Sequence, residues 1–188
     1  LPPYRPVQGR GKPVVSGNQP GQAVNFPGPE IARRDCDGLA EAAGLAIEDI
    51  HLNCETPFIQ LKKHSWRSLK TASSERKVPL AGYSLWAAER IVSNHAGHRN
   101  AFPRYNTRDI TSSNSASASL NKWLKDFVDT GCTIHSFRHS FRDRLRAVSC
   151  PSDIIDQLGG WQTAGVGQGY GEGYPVSILA DWVQKITN

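Results

Sequence analysis

The C-terminal two thirds of the chain carry four apolar stripes at helical spacing, and this feature constrains the fold more than any other. Apolar residues at positions i, i+3, i+4 and i+7 form one face of an α-helix. The stripe over residues 120–128 follows that template closely, and segments 85–92, 137–148 and 179–186 carry similar stripes. We therefore expect four amphipathic helices with buried apolar faces.

The region before these helices has a different pattern. Residues 57–63 and 76–80 have the composition of short strands, and the polar stretch 64–75 between them predicts a turn. A weaker apolar stripe within 30–45 indicates one more helix, whereas the Ser- and Asn-rich residues 97–119 predict a long connection. The predicted fold class is α+β, mainly α-helical with a small antiparallel sheet.

Length and composition favour one globular domain. The 188 residues suit a single core, and residues 1–29 are rich in Pro and Gly without hydrophobic periodicity. We predict a linker or arm over 1–29 and one domain over 30–188. The four cysteines form no CxxC pair, which argues against a zinc ribbon and favours reduced thiols. No segment resembles a signal peptide or a membrane span, so we expect a cytoplasmic protein.

The charge distribution points to a polyanionic partner. The formal net charge is +5, and residues 61–77 contain six basic side chains against the single acid Glu75. On a hairpin, such a stretch can follow a DNA backbone or enter a groove. The alternative is a solvated edge strand protected by lysines. The six basic residues are Lys62, Lys63, Arg67, Lys70, Arg76 and Lys77.

The sequence His135-Ser-Phe-Arg138-His139 places proton-transfer and anion-binding groups together. On a helix, residues three apart share a face, so His135 and Arg138 point the same way. A planar Arg fork suits a phosphodiester whose charge is redistributed during nucleophilic attack. The simpler interpretation of this motif is a solvated basic helix face.

Further along, Leu158-Gly-Gly-Trp161 is followed nine residues later by Tyr170, which lies among glycines. The indole N–H of Trp161 can donate a hydrogen bond to a phosphate oxygen. A phenol has a pKa near ~10, so Tyr170 is a poor nucleophile unless cations and a base surround it. Taken singly, Trp161 is better explained as a core residue and Tyr170 as a surface aromatic in a Gly-rich turn.

The motifs become specific through their joint order. LKTASSERKVPL, HSFRHSF, LGGW and the following tyrosine resemble, in that order, the catalytic domain of tyrosine recombinases, the phage integrase family. The stretch LAEAAGLAIEDIHL is similar to the first box of that family. The resemblance covers residues 30–188 and implies the DNA breaking–rejoining fold for this catalytic domain. It also implies site-specific DNA recombination or integration by strand cleavage and rejoining, as in mobile elements.

The resemblance implies a role for each matching residue. Tyr170 is the nucleophile that forms a 3′-phosphotyrosyl bond, and Arg138 clamps the scissile phosphate. His135 acts in proton transfer, and Trp161 fills a position that the family gives to His or Trp. The hairpin Lys70 protonates the departing 5′-oxygen, although a neighbouring lysine fits if the hairpin register shifts. Glu41 is the supporting acid of the first box.

The resemblance also defines the expected cofactors and partners. Because the phosphotyrosine stores the energy of the broken bond, the reaction needs neither a metal nor a nucleotide cofactor. Double-stranded DNA is the expected partner, with self-association on DNA and no membrane. The source is expected to be bacterial or phage-encoded.

One position departs from the family. The first box has an arginine three residues before its acid, and this chain has Gly38 there. Loss of one preorganised donor at a developing charge lowers the rate by about 10²–10³. The sequence therefore predicts impaired activity or a cation drawn from elsewhere, and the alternative function is a catalytically degenerate DNA-binding module.

Three further alternatives remain open at this level. His135 and His139 have the i, i+4 spacing of a zinc helix, but Ser136 stands where an HExxH motif has its glutamate. Tyr174 is a second candidate nucleophile, four residues beyond the expected spacing. The helix over 179–186 either packs in the core, which we favour for the isolated chain, or docks on a neighbouring protomer.

Overall fold

The structure is a computed structural model that describes residues 38–69, 74–128, 131–161 and 173–187. The predicted linker at 1–29 lies outside these ranges, as do Lys70 and Tyr170. The described ranges contain Glu41 and the motifs around Arg138 and Trp161, so most of the predicted site can be placed.

The described elements run from a short helix through a small sheet to a helical region. In chain order they are α1 (Leu39–Ala43), β1 (Ile50–His51), β2 (Phe58–Leu61), β3 (Arg76–Pro79), α2 (Tyr83–Asn94), α3 (Ser113–Leu124), α4 (Ser136–Ala147), α5 (Ser152–Gly159) and α6 (Val176–Lys185). Two 3-10 turns, Ile47–Asp49 and Pro103–Tyr105, lie in the connections. This helix-rich architecture with one small sheet confirms the predicted fold class at that level.

The sheet is antiparallel in the order β1-β2-β3 and fixes which side chains of β3 face inward. Ile59 pairs with Val78, and Leu61 pairs with Arg76. Side chains alternate across a strand, so Arg76 shares a face with Val78. Both are buried, whereas Lys77 between them is exposed. Arg76 therefore places a cation at the start of the buried face of β3.

Two groups of buried apolar residues form the core. The first joins the sheet to α2 and to the segment around α1, and the second joins α4, α5 and α6. Both α5 and α6 pack against β3, which lies between the two groups. Leu179, Val183 and Ile186 are buried in the second group. The predicted core packing of the C-terminal helix in the isolated chain is therefore confirmed.

The boundaries of α3 differ from the sequence prediction. The helix begins at Ser113, inside the predicted connection 97–119, and ends at Leu124. Leu124 is buried, but Phe127 and Val128 are exposed, so the prediction that the apolar stripe continues as a buried face was wrong there. The short α5 was not predicted as a helix. None of the helices in the described ranges is both long and apolar enough to cross a lipid bilayer.

The cysteines in the described residues are free thiols, as predicted. Cys54 and Cys132 are exposed, and Cys150 is buried. Burial raises the pKa of the Cys150 thiol to about 11, which keeps it protonated and unreactive at neutral pH. Cys36 lies outside the described residues.

Candidate active site

Two motifs far apart in the chain meet at one aromatic ring. Arg138 lies in the first turn of α4, and its guanidinium carbon is 4.3 Å from the centre of the Trp161 ring. A guanidinium stacked on an indole keeps its planar fork of N–H donors while the ring restricts its position. The structure thus brings together Arg138 and Trp161, which the sequence analysis predicted to bind the same phosphate.

A second arginine shares this ring. Arg142 lies one turn further along α4, with its guanidinium carbon 4.9 Å from the centre of the Trp161 ring. Its Nη2 atom is 3.6 Å from Oδ1 of Asp156. The sequence analysis did not single out Arg142, although its i, i+4 spacing from Arg138 places the two on one helix face. Two guanidinium groups therefore lie against the same indole ring.

The end of α5 fixes the position of the Trp161 ring. Gly160 adopts the left-handed conformation with φ +64°, which ends the helix, and the Trp161 amide donates to the Asp156 carbonyl at 2.9 Å. A Cβ at Gly159 would collide with the Trp161 ring. The glycine pair therefore lets the indole lie across the last turn of α5.

Replacing Gly160 with alanine is expected to destabilise the protein by about 1–3 kcal/mol, because a non-glycine residue there is strained. The new Cβ would also lie 2.6 Å from Nη1 of Arg76. Urea unfolding measures the loss. Gly97→Ala is the matched control, since Gly97 also has positive φ but its Cβ would meet no described atom within 4 Å. An equal loss in both variants would show that the Arg76 contact does not matter.

Arg76 connects Glu41 to the LGGW motif. Its Nη2 donates to Oε2 of Glu41 at 3.2 Å, and its Nε donates to the Leu158 carbonyl at 3.3 Å. Both charged side chains are almost completely buried. Glu41, predicted as a supporting acid, is thus linked to the segment that carries Trp161. Side chains alternate between the two faces of β3, so Arg76 lies on the same face as Val78. This alternation was the sequence signal that Arg76 is buried.

Arg67 joins three separate segments beneath the surface. Its Nη1 donates to the Glu41 carbonyl at 3.0 Å, and its Nη2 donates to Oδ2 of Asp49 at 3.2 Å and to the Lys62 carbonyl. His64 contacts the same Asp49 oxygen at 2.7 Å. Arg67 is only 2% exposed. This network holds the chain that leads toward Lys70 against the end of α1.

The burial of two arginines corrects the interpretation of the basic stretch. The sequence allowed all six cations of residues 61–77 to follow a DNA backbone. Arg67 and Arg76 instead face the interior and bind carboxylates and carbonyls. Lys63 and Lys77 are exposed and remain available to a polyanion. The prediction was therefore wrong for the two arginines, because carboxylates distant in sequence bind them inside the fold.

The chain returns to α5 after the segment that contains Tyr170. Gln157 accepts from the Tyr174 amide at 2.8 Å and donates to the Tyr174 carbonyl at 3.0 Å. The Tyr174 hydroxyl donates to Oδ2 of Asp153 at 2.5 Å. The preceding Gly173 has φ +77°, and a Cβ there would lie 2.9 Å from Nε2 of Gln157. The end of the segment is therefore held on the same helix that positions Trp161.

A comparison with known protein families shows the family of this chain. A sequence model of the phage integrase family matches residues 39–172, a range that contains Glu41, Arg138 and Trp161. The chain belongs to the phage integrase family. Members of this family act in site-specific DNA recombination, and DNA is the partner that the family implies. Comparisons with curated proteins and with solved structures gave no match.

In this member of the phage integrase family, His135 occupies the position just before α4. It is exposed, and its ring lies 5.2 Å from that of His139, edge to face. Among the described residues, potential metal ligands come together at Glu48, Asp49 and His64, and not at the His135–His139 pair. Lys62 and Arg67 already contact the Asp49 carboxylate. The described part of the chain therefore gives no support to the interpretation of His135 and His139 as zinc ligands.

The remaining two predicted site residues, Lys70 and Tyr170, lie outside the described residues. Their neighbours in sequence are placed. Leu69 ends the segment that Arg67 anchors, and Gly173 lies three residues after Tyr170.

Proposed function

We propose that this chain cleaves and rejoins DNA strands through a 3′-phosphotyrosyl intermediate formed on Tyr170. The observation that carries the proposal is the stacking of Arg138 on Trp161 at 4.3 Å. It joins an anion-binding fork to an N–H donor in a chain of the phage integrase family. These are the groups that a scissile phosphate needs on its non-bridging oxygens.

The proposed reaction is a transesterification in two steps. Arg138 and Trp161 hold the phosphate, and the Tyr170 oxygen attacks phosphorus while His135 accepts the phenolic proton. The bond from phosphorus to the 5′-oxygen breaks, and Lys70 protonates the departing oxygen. A 5′-hydroxyl then attacks the phosphotyrosine, which restores the DNA backbone and releases Tyr170. One phosphoester bond replaces another at each step, so no external energy source enters.

The attachment of the Tyr170 segment supports this assignment of the nucleophile. Residues 162–172 start from Trp161, whose amide binds Asp156, and end at the chain held by Gln157. Both ends are thus fixed on consecutive residues of α5. The described residues on either side of Tyr170 are therefore attached to the helix that positions Trp161.

A second candidate function is a DNA-binding module without catalysis, and Gly38 favours it. Gly38 precedes α1 at the position where the family has an arginine, and it presents no side chain to a phosphate. Its φ of −92° is accessible to any residue, so an arginine can be introduced there without backbone strain. The two functions differ in one product, the covalent protein–DNA adduct.

A nicked suicide duplex tests the proposal directly. Cleavage next to the nick releases a short oligonucleotide, so the covalent intermediate accumulates and is detected on a denaturing gel. We expect the native chain to form this adduct. If the native chain forms none while Gly38→Arg does, native catalysis is excluded and the DNA-binding module is the better description.

Replacing Tyr174 with phenylalanine is expected to leave adduct formation unchanged within about twofold. The hydrogen bond to Asp153 raises the pKa of Tyr174 and lowers the pKa of Asp153. The Tyr174 phenol is therefore protonated at neutral pH and is a poor nucleophile. Single-turnover cleavage of the suicide duplex measures the effect. Loss of the adduct in Tyr174→Phe would make Tyr174 the nucleophile.

A further inference from the structure

We propose that Arg142 is a second phosphate-binding residue, which acts with Arg138 on the same scissile phosphate. The inference rests on the proposed function and names a residue of the site that neither the motifs nor the family assignment supplies. It starts from the two guanidinium groups on the Trp161 ring. In this proposal Arg142 supplies a second cation to the phosphate. The position where the family has an arginine is Gly38 in this chain, which has no side chain to supply one.

The geometry allows both arginines to reach one phosphate. Their guanidinium carbons lie 4.3 Å and 4.9 Å from the same ring centre, so the carbons are at most about 9 Å apart. Two guanidinium groups that each bond a different non-bridging oxygen of one phosphate have their carbons separated by a comparable distance, roughly 8 Å. Arg138 and Arg142 also lie at i and i+4 on α4, so they project from one face.

Arg142 retains donors that the protein does not use. Its side chain is 43% exposed, and the 3.6 Å separation from Asp156 is longer than the ~2.8 Å of a charge-assisted hydrogen bond. Its Nε atom is buried and has no hydrogen-bond partner among the described residues. The exposed part of the side chain therefore offers N–H donors to an incoming anion.

The two buried arginines of residues 61–77 cannot bind an incoming phosphate in this way. Arg67 and Arg76 are 2% and 8% exposed, and the Nη2 group of each donates to a buried carboxylate. Arg142 instead lies over the Trp161 ring, and its separation from the Asp156 carboxylate is 3.6 Å. A phosphate oxygen that enters the site can therefore bind Arg142 without breaking a tight ion pair.

The test compares charged and neutral scissile linkages. Single-turnover cleavage is measured on two suicide duplexes, one with the natural phosphodiester and one with a methylphosphonate at the scissile position. The methylphosphonate replaces one charged oxygen with a methyl group, so it needs less cationic stabilisation. The proteins are the native chain, Arg142→Ala and Arg142→Gln, which keeps part of the side-chain packing. Arg146→Ala is the matched control, since Arg146 lies on α4 in an exposed pair with Asp143.

We expect Arg142→Ala and Arg142→Gln to lower the rate on the phosphodiester by about 10²-fold, as for loss of one preorganised donor. On the methylphosphonate the loss should be under about tenfold, and Arg146→Ala should match the native rate on both duplexes. Equal losses on the two duplexes, or no loss, would overturn the role of Arg142. A native chain that forms no adduct would instead refute the proposed function, and with it the catalytic role of Arg142. Thermal unfolding of Arg142→Gln confirms that the compared protein is folded.

Discussion

Tyr170→Phe is expected to abolish the covalent adduct with the nicked suicide duplex, with a loss of at least about 10³-fold. Phenylalanine keeps the ring and removes only the hydroxyl oxygen that forms the bond to phosphorus. No other group in the proposed mechanism can take its place, because the Tyr174 phenol donates to Asp153. The measurement is the amount of protein–DNA adduct on a denaturing gel over time.

The matched control for this experiment is Tyr174→Phe, which makes the same chemical change four residues away. DNA affinity of Tyr170→Phe should stay within a few-fold of the native value across a salt titration, because phosphate contacts by cations dominate binding. Loss of binding would indicate a structural role for Tyr170. Adduct formation by Tyr170→Phe would refute its assignment as the nucleophile.

Arg76→Ala is expected to destabilise the protein by about 3–5 kcal/mol, because it leaves the buried carboxylate of Glu41 without its guanidinium partner. The two side chains are 5% and 9% exposed, so water cannot replace the lost contact at low cost. The Leu158 carbonyl loses a donor at the same time. Urea unfolding of native and variant chains measures the difference in free energy.

Two further variants separate the buried charge from other effects. Arg146→Ala removes an arginine from the exposed pair with Asp143 and should cost at most about 1 kcal/mol. The double change Arg76→Met with Glu41→Gln removes both charges and should recover part of the stability lost in Arg76→Ala. Equal losses in Arg76→Ala and Arg146→Ala would contradict the structural role of the Glu41–Arg76 pair.

Periodic patterns predicted the elements better than their ends. The stripe over 120–128 predicted a helix, but α3 ends at Leu124 and Phe127 is 66% exposed. An apolar stripe shows which face a helix would bury, yet it does not show where neighbouring elements stop covering that face. The helix α5 was missed altogether, because its eight residues are too few for a clear apolar stripe.

The site was predictable where its residues lie in motifs and unpredictable where they meet across the fold. Arg138 and Trp161 were identified from motif order, and the structure brings them together. The burial of Arg67 was not accessible, because its partners Asp49 and Glu41 lie 18 and 26 residues away. For Arg142 the spacing from Arg138 was visible, but contact with the ring depends on how α4 packs on α5.

The attachment of residues 162–172 to neighbouring positions of α5 has a consequence for how activity can be tuned. In the proposed mechanism, the number of residues between these two attachment points sets the effective concentration of the Tyr170 phenol at Arg138. The entropy of closing a flexible chain grows slowly, by only ~0.6 kcal/mol for each doubling of length. In the proposed mechanism, insertions between Trp161 and Gly173 are therefore expected to lower the rate of adduct formation gradually, while the stacking of Arg138 on Trp161 stays in place.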